Sequence, residues 1–377
     1  MNNIEKLLIE LNNIAENPSD ELEKHLEAGK KVIGCFPYYV PEELITAAGM
    51  IPFGIWGSEG TINEAKKYFP PFYCTIAQMG LEMALTGKLD KLSGVIIPSL
   101  CDTLRPLTQN FRVAVPQIPF IFLAHPQNRK PDYGIEYTRS RYSEIANKLE
   151  EISGVAISDE SLKNAIEVHN VSRKLRREFV TLAASHPQTI SPSNRSDVLK
   201  SVHFMDKAAH SAILSELNDE LRAIPDEECS GPKIMVSGIL SDSKNLLGLF
   251  EKYNFTIVED DVAHQTRGFR IDVPDCGDPM AALAKHFANQ DYDTILYDPG
   301  IDERPKFVAN TAKKAGADGV LILMMQFCDP EEIEYPSLKK ALDEQGIPHL
   351  LLGYDQQMQN FAQANTQLQA FADIISN

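Results

Sequence analysis

The chain has 377 residues, 43% of them apolar, and a formal charge of −17, which weighs against wholesale binding of nucleic acid or anionic membrane while leaving room for a local basic pocket. No run approaches the ~18 apolar residues of a membrane-crossing helix, and the opening "MNNIEKLLIELNNIAENP" lacks the basic flank and apolar core of a secretory signal. Six cysteines in a chain with no such signal point to the cytoplasm, with thiols that are reduced or metal-bound.

Three regions are expected. The first, residues 1–137, is α/β. It opens with an amphipathic helix near 3–15. "KKVIGCFPYYVPEELITAAG" then gives a short strand, a turn at Cys35-Phe36-Pro37 and a helix entered through Pro41-Glu42-Glu43. "IPFGIWG" is a second strand, and "PPFYCTIAQMGLEMALTG" is a helix from about Cys74 that Gly87 ends. "LSGVIIPSLCDTLRPL" repeats strand, cysteine, Asp, helix, and "PQIPFIFLAHP" is a fourth strand. Residues 138–228 carry 3.6-residue periodicity and almost no strand signal, so they are read as helical. From 229 to 377 strands resume in "PKIMVSGIL", "FTIVEDDV", "DTILYDP", "GVLILMM" and "IPHLLLGYD", alternating with helical stretches. Strand–helix alternation is the mark of a parallel sheet. The fold class is therefore α/β: two Rossmann- or flavodoxin-like parallel-sheet domains with an inserted helical region.

The stretch "GADGVLILMMQFCDPEEIEYP" carries the chemistry. Its apolar run has no polar alternation and reads as a strand buried on both faces. Asp329-Pro330-Glu331-Glu332 reads as a helix start. Cys328 thus stands between a strand's carboxyl end and a helix's amino end, where open α/β sheets bind ligands and where a helix terminus stabilises a thiolate. Cys35, Cys74 and Cys101 also lie at or near such turns, whereas Cys229 and Cys276 lie in polar loops. A single free cysteine is usually a small buried hydrophobe. There is no C-x₂-C, so zinc ribbons and ferredoxin-type runs are excluded. Dispersed thiolates can still converge if the two sheets face one cleft, and soft thiolates with no nearby histidine favour an iron–sulfur cluster over zinc.

The strings "GCFPYYVPEELITAAGMIPFGIWG", "FYCTIAQ", "LCDTLRPLTQNF", "FLAHPQNR" and "MMQFCDPEEIEYP" resemble the 2-hydroxyacyl-CoA dehydratase family, which includes the benzoyl-CoA reductase core subunits. The likeness runs from about residue 30 to the last strand and is strongest to the β-subunit branch acting on (R)-2-hydroxyglutaryl-CoA. It implies a [4Fe–4S] cluster in the cleft between the two domains, held by Cys74, Cys101 and Cys328. Cys35 stays outside this set, because some relatives lack a cysteine there. It also makes FMN a candidate cofactor, with no residues assigned to it.

The resemblance implies a hydro-lyase of glutamate fermentation that converts (R)-2-hydroxyglutaryl-CoA to glutaconyl-CoA through a ketyl radical. The β-proton to be lost is not acidified by a neighbouring carbonyl, and environmental pKa tuning of a few units is far too small to free it. One electron solves the problem and is recycled. The implied partners are a homologous α subunit in a heterodimer, which takes most of the CoA-thioester, and an ATP-dependent iron–sulfur activator. The cluster of this chain would relay or store the electron. Two rival readings are a non-redox scaffold that completes the partner's pocket and a benzoyl-CoA-reductase-like subunit.

Other motifs carry less. His125, after a strand, reads as a structural hydrogen-bonder rather than a cleft residue. Glu259, Asp260 and Asp261, with His264, Arg267 and Arg270, could line the cleft or bind phosphate, but read better as a solvated loop with local ion pairs. "RKLRREF" is a basic helical face, solvated or turned to a partner. No glycine-rich turn matches a nucleotide fingerprint.

Overall fold

The computed structural model describes residues 2–296 and 302–376. Two four-stranded parallel sheets form the frame. The first contains β1 (Val32–Cys35), β2 (Ile51–Gly54), β3 (Gly94–Pro98) and β4 (Phe120–Leu123), in the order β2-β1-β3-β4. The second contains β5 (Lys233–Gly238), β6 (Thr256–Val262), β7 (Gly319–Met325) and β8 (His349–Tyr354), in the order β6-β5-β7-β8. The strand order is the same in both. Each sheet therefore reverses direction of growth between its first and third strands, the place where α/β folds open a crevice at the carboxyl edge.

Helices α1 (Asn3–Glu16) and α2 (Pro18–Glu27) precede the first sheet. Within it come α3 (Glu42–Ala47), α4 (Thr75–Leu85) and α5 (Leu104–Ala114). The middle is all helical: α6 (Asp132–Ser153), α7 (Asp159–Ser185), α8 (Pro192–Ser201) and α9 (Lys207–Ala223). The second sheet carries α10 (Lys244–Lys252), α11 (Pro279–Ala288), α12 (Glu303–Lys314), α13 (Asp329–Glu344) and α14 (Ala362–Ile375). Local chemistry sets several of these boundaries. Asn2 and Glu5 form a capping box on α1, Ser158 caps α7, and α6 stops where Gly154 takes a left-handed φ of 78°. The α/β class and the two parallel sheets are as expected from the pattern.

One expected strand is not observed. Residues 293–296, the described part of "DTILYDP", form a turn rather than a strand, and the remainder of that segment lies outside the described residues. The Asp293 carboxylate explains the turn. It accepts hydrogen bonds from the Ile295 N–H at 2.8 Å and from the hydroxyls of Tyr38 and Tyr39, each at 2.7 Å. Side-chain capture of this kind competes with ladder pairing.

The regions share a core. A single apolar cluster runs from Leu11 of α1 through Val95 of β3 and Leu214 of α9 to Met325 of β7 and Tyr354 of β8. α1 packs on α8 and α9 of the helical middle. The solvated loop expected at 259–261 is not found; these residues belong to β6. The register between β5 and β6 slips by one residue after Ile234, and successive side chains then point to opposite faces. Asp260 pairs with Arg195 of α8, both buried. Asp261 is fully buried and takes three guanidiniums: Arg270, Arg267 with Nε at 3.3 Å, and Arg304 with Nη2 at 2.6 Å. Those arginines hold its carboxyl well below the usual range against the opposing effect of burial.

Removing the Asp261 charge leaves three clustered cations without their anion. Asp261→Asn is expected to cost about 3–5 kcal/mol in urea unfolding; a loss under about 1 kcal/mol would show that the network is not the brace described here.

Acid lability should start with histidine. His125, His169, His203, His210, His264 and His286 are enclosed, and burial above all pushes their pKa values down, to about 4 for His169, His264 and His286. A depressed histidine contributes stability that is present above its unfolded pKa and lost as pH falls through that value. Unfolding free energy should therefore drop between about pH 6.5 and 4, by about 1.4 kcal/mol per pH unit for each extra proton taken up. Constant stability down to pH 5 would contradict the neutral, buried state of these rings.

Candidate functional site

Three cysteines come together where the carboxyl edges of the two sheets meet. Cys74 is the residue before α4, in extended conformation at φ −60° and ψ 149°. Its thiol is approached by the N–H groups of Ile76 and Ala77 in the first turn. Cys101 follows β3 and receives the Leu104 N–H at 3.4 Å as α5 begins. Cys328 follows β7 and precedes α13, and the Glu331 N–H points at its sulfur. Each sulfur thus meets the amino end of a helix, where unpaired N–H groups favour negative charge. The turn before Cys328 is tight: Phe327 takes a positive φ of 61°, and its N–H donates to the Glu332 carboxylate at 2.9 Å.

Contacts between the sheets fix this meeting. The Thr75 hydroxyl lies 3.4 Å from the Met325 sulfur and accepts the Gln356 N–H at 3.2 Å, tying the start of α4 to the ends of β7 and β8. The Gln356 amide donates to the Trp56 carbonyl at 2.9 Å. Gly57 makes that approach possible: its φ is +82°, and a Cβ there would stand 2.5 Å from the Gln356 amide. Gly80 plays a similar part, since a Cβ on it would collide with the Phe36 ring and push α4 off the sheet.

All three thiols are pushed up in pKa. Burial is the main cause for Cys74, raised to about 12 with a further contribution from Cys101. Burial also raises Cys101, against the N–H groups of Leu104 and Thr103. It raises Cys328 well above the ordinary value, helped by the Glu331 carboxyl, Cys74 and Cys101. The mutual effects show the sulfurs within electrostatic reach of one another. Without metal, the site is a set of neutral thiols that must lose protons to bind iron.

The donor set fits a multi-iron group. All the cysteines are free. Among the described residues, no three His, Cys, Asp or Glu side chains are arranged to hold a single metal ion, which needs thiolates at about 2.3 Å. Three soft donors within electrostatic reach of one another, with N–H groups aimed at the sulfurs, are the donor chemistry that suits an iron–sulfur cluster.

Cys35 has different company. It is buried in the apolar layer under β1 and β3, its thiol 3.7 Å from the Ile33 carbonyl, with no other cysteine among the groups that act on it. His125 is also reassigned: it stacks on Phe287 at 4.2 Å, neither ring nitrogen makes a well-formed hydrogen bond, and burial pushes its pKa down to about 3. The basic stretch of α7 is divided between core and surface: Arg173 is buried, Arg176 and Arg177 are half-buried, and Lys174 is exposed. Arg173 pairs with buried Glu43, Arg176 stacks over Phe269 at 4.7 Å, and Arg177 binds Asp272 at 2.9 Å. Sequence reasoning missed Thr75 and Gln356, and no local pattern marks them, because their partners lie on the opposite sheet.

The family model for 2-hydroxyglutaryl-CoA dehydratase, D-component, matches residues 37–375. The chain belongs to that family. It is 47% identical to the (R)-2-hydroxyglutaryl-CoA dehydratase β subunit of Acidaminococcus fermentans, over 98% of this chain and 99% of that protein. It is 44% identical to the (R)-phenyllactyl-CoA dehydratase β subunit of Clostridium sporogenes, over the whole of both chains. It is 26% identical to one of the benzoyl-CoA reductase subunits of Thauera aromatica, over 93% of this chain and 92% of that one. Family membership makes the chain a subunit of a dehydratase of the hydro-lyase class. No helix among the described residues is long and apolar enough to cross a membrane.

The raised thiol pKa values have a measurable consequence. Iodoacetamide at pH 7.5 should label the exposed Cys276 first and Cys74, Cys101 and Cys328 slowly, with the three speeding up as pH rises toward 10. Peptide mass spectrometry reads the order. Fast labelling of the three at neutral pH would show low-pKa thiolates, contrary to this account.

Proposed function

We propose that this chain is the β subunit of an iron–sulfur 2-hydroxyacyl-CoA dehydratase, paired with a homologous α subunit and acting on (R)-2-hydroxyglutaryl-CoA to give glutaconyl-CoA. The observation that carries the iron–sulfur reading is the convergence of Cys74, Cys101 and Cys328 at three helix amino ends. The subunit reading rests on the β-subunit relatives, and the substrate reading on the 47% identity to the glutaryl-type protein. A bound [4Fe–4S] cluster would supply one-electron storage, the chemistry needed to loosen a β-proton that acid–base catalysis cannot reach.

The chain's own residues do the rest. Cys74, Cys101 and Cys328 give up their protons to hold the group. The N–H groups of Ile76, Ala77, Thr103, Leu104 and Glu331 offset charge on the sulfurs, which favours the more reduced state. The exposed rings of Phe72 and Phe327 flank the site within two residues of Cys74 and Cys328, and make a surface suited to the α subunit. An ATP-dependent activator would bring the first electron to the assembled enzyme.

Anaerobic preparation with Cys→Ala changes at 74, 101 and 328 tests the reading. Each change is expected to lower iron and acid-labile sulfide in this chain and to abolish (R)-2-hydroxyglutaryl-CoA dehydration by the reconstituted pair. A scaffold subunit would carry no iron, and its activity with the α subunit would survive all three substitutions.

A further inference from the structure

A second polar site lies away from the three cysteines. It is a cavity of about 130 Å³ between the carboxyl ends of β1 and β2, the segment after β6, and α7. That is room for about four waters at ~30 Å³ each, or for one small organic molecule.

The charges on its wall do not balance. Two carboxylates, Glu42 and Glu43, face three cations, Lys207, Arg173 and Arg176. Lys207 pairs with Glu42 at 3.0 Å, and Arg173 pairs with Glu43. Arg176 is left over. Its Nε donates to the Ser172 carbonyl at 3.2 Å and its plane covers Phe269, but its two terminal nitrogens have no partner among the described residues. Arg176 keeps accessible surface and lines the cavity, so its guanidinium is within reach of a guest there. The lining histidines do not add charge, since burial keeps His169, His203, His264 and His286 neutral near pH 7. An enclosed guanidinium stays protonated, and burial together with Arg173 makes that charge costly here, lowering its pKa to about 9. Aromatic side chains line the same cavity, including Tyr38, Trp56 and Phe287, with the neutral His203–His264 stack at 4.5 Å.

One surplus positive charge, a small volume and aromatic walls select one kind of guest. We propose that this cavity binds a small organic monocarboxylate of about two to four carbons, its carboxylate on Arg176 and its hydrocarbon end against the rings. Multiply charged oxyanions suit it less. They would bring more charge than Arg176 balances and leave the aromatic walls uncovered.

The chain reports on this site by itself. Trp56 lines the cavity and is the only tryptophan in the sequence. Titrating the purified full-length chain with propionate should change tryptophan emission saturably, while 1-propanol, the neutral counterpart, gives no saturable change, and sulfate and phosphate compete weakly. Arg176→Gln should weaken propionate binding about 10- to 100-fold, the loss expected for a charge-assisted pair, and Arg176→Lys should restore part of it. The proposal is overturned if propionate gives no saturable change, if 1-propanol matches it, if sulfate or phosphate binds as well, or if folded Arg176→Gln binds propionate like the native chain. Should Arg176→Gln not fold by circular dichroism, the propionate and 1-propanol pair on the native chain decides alone.

Discussion

Everything in this molecule depends on two parallel sheets meeting at their carboxyl edges. A parallel strand cannot turn back on itself, so each must end in a loop that leads into a helix. The loops therefore gather at one edge, each bringing a helix amino end. Two such edges set against each other concentrate strand ends, helix dipoles and unpaired N–H groups in one place. In this chain that place holds Cys74, Cys101 and Cys328.

The junction is held by two kinds of force. Apolar packing is continuous from α1 to β8 and gives most of the cohesion. Polar contacts set the fine register: Thr75 with Met325 and Gln356, Gln356 with Trp56, and Asp293 with Tyr38 and Tyr39. Buried ions do a third job. Asp261 binds three arginines from two segments, Arg267 and Arg270 just after β6 and Arg304 in α12, and replacing such a group costs more through the stranded charges than the pair itself contributes. The same logic marks Arg176 as unusual. Where the other buried cations of that wall have found a carboxylate, this one faces the cavity.

The two polar regions also differ in how they treat protons. Around the three cysteines burial keeps thiols neutral until a metal takes the place of their protons. Around the cavity burial keeps histidines neutral, while salt bridges keep Glu42 and Glu43 ionised. Low polarisability disfavours charge in both, and each tolerates it only where a partner is fixed nearby.

Much of this was legible from residue order alone. The apolar run of β7, the Asp-Pro-Glu-Glu start of α13 and the recurring strand–cysteine–helix pattern give the α/β class and put Cys101 and Cys328 at strand ends, because period, caps and breakers are local. What the chain order could not give was company. Asp260 and Asp261 look like a charged loop until the slipped register of β6 turns them into the interior. "RKLRREF" looks like a wet face until α7 is laid against β6 and the helices around it. The segment at 293–296 has strand composition, yet tyrosines 255 and 254 positions earlier in the chain draw it into a turn. Sequence determined which elements form and which residues stand at their ends, since those depend on neighbours a few positions away. Only the tertiary structure decided which ends meet, because that depends on how two separately wound sheets pack across a common core.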